Sequence, residues 1–125
     1  MSGRKNVLSI YKIIDAGDMS QSSITSAVTN ITYLDNVCIE LVFTGSPVGT
    51  FSVQGSLDHQ QDALGNIITA GNWVSLTLSP APVASGSADQ IVIDLNQLSF
   101  PYIRVVYTKT SGTGTLNGWI GAKML

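Results

Sequence analysis

From Val37 onward the chain consists of short segments in which apolar and other side chains take turns. Val37, Ile39, Leu41 and Phe43 alternate with Cys38, Glu40, Val42 and Thr44. Phe51 and Val53 alternate with Thr50, Ser52 and Gln54, and Val74, Leu76 and Leu78 with Trp73, Ser75 and Thr77. Ile91, Ile93 and Leu95 alternate with Val92 and Asp94. Side chains on a strand point alternately to opposite faces, so each segment can bury one face and wet the other. The 3.6-residue spacing of an amphipathic helix appears nowhere over a useful length. Evenly spaced short strands without helices predict an all-β chain, a two-sheet antiparallel sandwich of about eight strands, jelly-roll-like.

Val7 to Ile14 reads as the first strand, stopped by the turn residues Asp15-Ala16-Gly17-Asp18. Ser26 to Leu34 is strand-like again. Val37–Thr44 and Thr50–Ser56 flank Gly45-Ser46-Pro47-Val48-Gly49 and predict a hairpin. Leu57 to Asn72 is the longest interruption, and Ser79 to Asp89 is a second long connection; loops of that length are often used in contacts. Pro101 opens a strand with Ile103, Val105 and Tyr107 on one side and Tyr102, Arg104 and Val106 on the other. After the Thr108–Thr115 turn, Leu116, Gly118, Ile120, Ala122 and Met124 share one face of a last strand, opposite Asn117, Trp119, Gly121 and Lys123. Residues 1–125 are expected to form one β-sandwich domain, with 15–26 as a candidate mobile or partner-binding segment.

Charged residues make up 11% of the chain, against roughly 25% in ordinary soluble domains. Hydroxyl residues, 15 Ser and 11 Thr, take their place. A surface that poor in charge repels its copies weakly, and it suits a subunit covered by neighbours. The net charge is −2, and Arg4, Lys5, Lys12, Arg104, Lys109 and Lys123 are scattered. Nucleic-acid binding needs clustered cations, so no nucleic-acid partner is expected. No apolar run approaches the length of a membrane span, and no secretion signal is visible, so no membrane partner is expected.

Cys38 is the single cysteine and can form no internal disulfide; it is expected as a small apolar filler between layers. That fits folding in a reducing compartment. His59 is the single histidine, in the long connection beside Asp58 and Asp62, and is expected as a surface loop residue. No Gly-x-Ser-x-Gly elbow exists, and of the eight acids only Glu40 and Asp94 sit mid-strand, so no catalytic residues and no enzyme activity are expected. Zinc lacks His and Cys ligands, and the Asp58/Asp62 spacing fits no calcium loop; no metal and no cofactor are expected. Trp73 and Trp119 fall on the parity opposite their strands' apolar sets, as do Val42, Val92 and Val106. Apolar and aromatic residues outside a core point to contact surfaces.

Phe51-Ser52-Val53-Gln54-Gly55-Ser56-Leu57-Asp58, followed by Asn72-Trp73-Val74-Ser75-Leu76, resembles the discoidin-like, galactose-binding-like jelly roll, as does Phe100-Pro101-Tyr102-Ile103-Arg104-Val105. That resemblance covers roughly a third of the chain and implies a carbohydrate site in loops at one end of the sandwich, with Asp58, His59, Gln60 and Trp73 as candidates. The insertion between Asp58 and Trp73 is longer than the family's usual turn, and the terminal cysteine pair of many extracellular members is missing. In its short length, Ser/Thr/Gly-rich strands and the ending Ser111-Gly112-Thr113-Gly114-Thr115-Leu116-Asn117-Gly118, the whole chain also resembles small virion proteins of tailed bacteriophages.

The leading expectation is a non-enzymatic structural subunit of a phage virion, decorating the capsid or forming part of the tail. It would be assembled in the host cytoplasm and held by copies of itself and other virion proteins. Trp119, Tyr102, Val42 and Val92 are the expected subunit contacts. The alternative is a discoidin-like carbohydrate-binding module.

Overall fold

The computed structural model describes residues 9–32, 36–78, 81–96 and 99–123. Its strands are β1 (Ser9–Asp18), β2 (Ser23–Thr25), β3 (Thr29–Asn30), β4 (Asn36–Phe43), β5 (Val48–Ser56), β6 (Gln60–Gln61), β7 (Ile67–Thr69), β8 (Val74–Ser75), β9 (Val83–Ser85), β10 (Asp89–Asn96), β11 (Tyr102–Ser111) and β12 (Thr115–Lys123). One sheet has the order β1-β12-β4-β10. The other has the order β2-β11-β5-β8, with β3 also on β11 and β9 also on β5. β6 and β7 form a separate two-stranded hairpin. All pairings are antiparallel.

β2 with β3, and β8 with β9, are each one interrupted position in the sandwich. The chain therefore visits eight positions, crossing between the sheets at every step except from β5 to β8/β9, which are neighbours in one sheet, in the manner of a jelly roll. The all-β, eight-position sandwich expected from the alternation is what forms.

The inner faces carry the alternating apolar sets. Val37, Ile39, Leu41 and Phe43 of β4 and Leu116, Ile120 and Ala122 of β12 are buried against Phe51 and Val53 of β5 and Ile103, Val105 and Tyr107 of β11. Burying each large side chain is worth about 1.5–3 kcal/mol. Phe51 sits between Phe43 and Tyr107, with ring centroids 5.6 Å and 4.9 Å away, joining the two layers at one end.

Several boundaries differ from expectation. Asp15-Ala16-Gly17-Asp18 is not a turn: β1 runs through it with register shifts after Lys12 and Ile14. Ala16 takes φ 50°, and its N–H is held by Asn117 Oδ1 at 2.9 Å. A β-bulge absorbs the residues that composition read as a break. In the stretch 15–26, Met19 is fully buried, and Ser26 is buried against β11. β4 and β5 are not a hairpin, because they lie in different sheets. Thr44 N–H bonds Thr115 O, and Ser46 N–H bonds Thr113 O. The link thus follows the β11–β12 turn across the sandwich. Gly112 in that turn takes φ +82° and packs on the Ser46 carbonyl, where a side chain would collide.

Among the described residues of the expected 74–78 and 26–34 strands, Val74–Ser75 and Thr29–Asn30 form the assigned strands, and Leu76, Ser26 and Ile31 add single backbone bonds to Val53, Val105 and Pro101. β11 continues to Ser111, past the expected start of the turn at Thr108. Val7, Tyr33, Leu34, Ser79, Pro80 and Met124, named in the expected strands and connections, lie outside the described residues.

Candidate functional site

Two regions carry the residues singled out in the sequence. The first is the connection from β5 to β8. Ser56, buried at the end of β5, accepts the His59 N–H at 3.0 Å and donates to Asp58 Oδ1 at 3.1 Å. Asp58 also receives the Asn72 N–H at 2.8 Å and the Asn72 side-chain amide at 2.7 Å. These bonds clamp the two ends of the connection together. The Asn72 backbone N–H, then its side-chain amide, hold the Asp58 carboxyl below the usual aspartate value.

His59 is not the surface residue expected from its loop setting; it is 3% exposed. Its Nδ1 lies 2.9 Å from the Ala70 carbonyl, which can only accept, so Nδ1 carries the hydrogen. Its Nε2 lies 2.9 Å from the Gln61 side-chain oxygen Oε1. The ring packs between Trp73 (5.2 Å, tilted) and Tyr102 (5.0 Å, edge-on). The Arg104 guanidinium lies 4.2 Å from the centre of the Trp73 ring, while its Nε donates to Gln54 Oε1 at 2.8 Å. Burial pulls the Arg104 pKa below its usual value. The imidazole therefore anchors the connection to the outer face of β5 and β11.

Beyond this anchor, the β6–β7 hairpin projects. Asp62 organises its turn by accepting the N–H groups of Leu64 and Asn66, both at 2.9 Å, and the Asn66 side-chain amide at 3.0 Å. These donors, the Asn66 N–H foremost, depress the Asp62 pKa. Both carboxylates are thus engaged as turn anchors, and among the described residues no cluster of metal-ligating side chains forms. On this fixed projection Leu64 is 87% exposed and Ile67 and Ile68 are each about two-thirds exposed, as is Leu57 beside its base.

Asp58, His59 and Trp73, three of the four candidate sugar contacts, do come together. Gln60 does not join them: it is exposed on β6 and pairs with Thr69. A sugar platform needs an open ring face. Trp73 is half-buried, with Arg104 over its ring and His59 packed against it.

The second region is the outer face of the β1-β12-β4-β10 sheet. The register lines up Lys12, Trp119, Glu40 and Val92 in one row, and Ile10, Gly121, Cys38 and Asp94 in the next. On the other side of the Trp119 row, Val42 lies between Asn117 and Gln90. Three of the four expected subunit contacts, Trp119, Val42 and Val92, therefore share a face. Tyr102 does not; it packs against His59 on the other sheet. Gly121 leaves a shallow groove of ≈ 280 Å³ lined by Ile10, Cys38, Glu40, Val92 and Trp119. The Lys12 ammonium stands 5.3 Å from the Trp119 ring centre.

Cys38 is exposed in this groove and is not the expected filler, because no further layer covers this face among the described residues. Partial burial, then Asp94 and Glu40, raise its thiol pKa, the opposite of a reactive thiolate.

Ile10, Leu57 beside the clamp, and the hairpin residues Leu64, Ile67 and Ile68 are not among the contacts expected from the sequence. The available signal for the last four was large apolar residues inside the long Leu57–Asn72 connection.

No protein-family model and no curated protein matches the chain. Among solved structures, it is similar to a chain in the structure of infectious bursal disease virus, Gx strain (13% identity, 96% of this chain and 32% of that one, TM-score 0.44). This chain thus spans about a third of that viral protein's length. It is also similar to a subunit of Bacillus endospore appendages, described as disulfide-linked pili (13% identity, 100% and 96% covered, TM-score 0.43). A third likeness is to the CBM22-1 xylan-binding domain of Paenibacillus barcinonensis Xyn10C (10% identity, 94% and 86% covered, TM-score 0.45).

Proposed function

We propose that the protein is a non-enzymatic structural subunit of a tailed-phage virion, in the capsid decoration or the tail, that binds neighbouring virion proteins and copies of itself. The observation that carries this reading is the β6–β7 hairpin. Its base is fixed by Ser56, Asp58, His59 and Asn72 and its turn by Asp62, yet Leu64, Ile67 and Ile68 face solvent. Single exposed apolar residues are normal on monomers, whereas several on one rigid projection mark a contact. A preformed hairpin also loses little conformational freedom on docking. The covered ring of Trp73 favours this reading over carbohydrate binding.

The test is co-sedimentation of the purified protein with particles lacking it, alongside mass spectrometry of intact particles. Wild type should bind the particles and be found in the intact ones. The Leu64→Asp/Ile68→Asp variant should fold with an unchanged Tm and bind much more weakly, since exposed substitutions typically alter stability by under about 0.5 kcal/mol. Absence from intact particles, or particle binding indifferent to the double variant, would refute the proposal.

A further inference from the structure

Each sheet of the sandwich has two edges, and three of the four are blunted. β1 carries two register shifts, and its Ile13 carbonyl is already taken by the Ala27 N–H at 3.0 Å. The edges of the other sheet are broken into two- and three-residue pieces, β2 with β3 and β8 with β9. Short pieces, bulges and covering segments are the ways natural sheets prevent pairing with other chains. Among the described residues β10 has none of these. It matches β4 residue for residue from Asp89 to Asn96 without a shift. It contains no Pro, Gly or Lys, and among the described residues no strand lies on its far side. Val92, at its middle, is 62% exposed.

We infer that β10 is the edge through which two copies of this chain join, antiparallel about a two-fold axis at Val92, merging two four-stranded sheets into one of eight. This deepens the structural-subunit reading and rests on it.

The sequence of β10 selects the partner and its direction. Antiparallel pairing about Val92 sets Val92 against its own copy, Gln90 against Asp94, and Ile91 against Ile93. The central valines bury one another, and the exposed Asp94 of each copy meets the Gln90 amide of the other, while Asp89 falls opposite Leu95. Parallel in-register pairing would instead set Asp94 beside Asp94, and like charges directly opposite are destabilising. The self-matching register is the isologous contact of a two-fold dimer. Such strand addition supplies main-chain hydrogen bonds along the edge, with side chains fixing the register.

Sedimentation equilibrium of Gln90 variants tests this. Gln90→Asp places like charges opposite each other twice and should weaken the dimer about tenfold. Gln90→Lys places opposite charges there and should tighten it by a similar factor. Because Gln90 is exposed, both variants should keep the wild-type Tm at dilutions where the chain is monomeric. In a Cys38→Ser background, Val92→Cys should give a disulfide-linked dimer on mild oxidation, and Asp94→Cys should not, because the two copies of position 94 lie far apart. Dimers indifferent to both Gln90 substitutions, or cross-linking at 94 in place of 92, overturn the β10 inference and leave the structural-subunit reading standing. A protein that stays monomeric at millimolar concentration overturns the inference too. Failure to bind particles is the separate result that removes the underlying reading.

Discussion

The Cβ that Gly71 lacks would lie 2.5 Å from the backbone nitrogen of His59. Gly71 takes φ +71° just before Asn72 closes the connection onto Asp58. Only glycine satisfies both the left-handed backbone and the close approach. His59 reaches the slot between Trp73 and Tyr102 because Gly71 lets the returning chain pass against it.

Gly71→Ala should therefore cost more than the roughly 1–2 kcal/mol of a left-handed non-glycine residue, because the backbone contact with His59 must also open. The check is urea denaturation combined with tryptophan fluorescence. A lower midpoint with a shifted emission from Trp73 is expected; an unchanged midpoint would mean that the clamp is not built as described.

The same clamp is sensitive to acid. Donors from Asn72 hold the Asp58 pKa low, and donors from Asn66 do the same for Asp62. A carboxylate with a depressed folded-state pKa contributes stability above its unfolded value, about 3.9 for aspartate, and loses it as pH falls through the lower folded value. The protein should lose stability as pH drops below about 4. Asp58→Asn should flatten part of that decline while lowering stability at neutral pH. Thermal melts of both proteins from neutral to strongly acidic pH measure this.

Much of this architecture was legible in the alternation, and the reasons for the misses are physical. Period two fixes which face a residue takes, so Ile39, Leu41, Ile103, Val105 and Ile120 were placed inward correctly. It does not fix which strand is the neighbour. Gly45–Gly49 therefore read as a hairpin turn, although its partner is the distant 113–115 segment. His59 was misplaced for the same reason: the groups that bury it, Ala70, Trp73 and Tyr102, come from elsewhere in the chain. For Cys38 the parity was right, and the assumption of a layer beyond it was not. The apolar hairpin was hidden because residues at its turn, Asp62, Gly65 and Asn66, have the composition of an ordinary loop.

Tyr107 gives a test at the core. Its ring packs tilted against Phe51, but its hydroxyl is buried with no hydrogen-bond partner among the described residues. A buried unsatisfied polar group costs about 1–3 kcal/mol. Tyr107→Phe keeps the ring and removes the hydroxyl, so it should leave stability unchanged or raise it by up to about that amount. Burial raises the phenol's pKa, so the folded state resists ionisation, and stability should fall as pH rises past the ordinary tyrosine value of about 10. Tyr107→Phe should remove part of that alkaline loss, measured by denaturation at neutral and alkaline pH.

Ser26 bridges the gap between β2 and β3. Its N–H bonds the Val105 carbonyl at 2.8 Å, and its hydroxyl accepts the Val105 N–H at 2.8 Å while donating to Ala27 O at 2.9 Å. A side-chain oxygen thus stands where a neighbouring strand would present a carbonyl, which lets the edge break without stranding a buried donor. Ser26→Ala removes that acceptor and leaves the Val105 amide unpaired in a dry site, at about 1–3 kcal/mol. Threonine keeps the oxygen, so Ser26→Thr should recover part of the loss. Hydrogen exchange distinguishes this from a general loosening: the Val105 amide should exchange much faster in the alanine variant, while the Ile39 and Ile120 amides follow only the change in global stability.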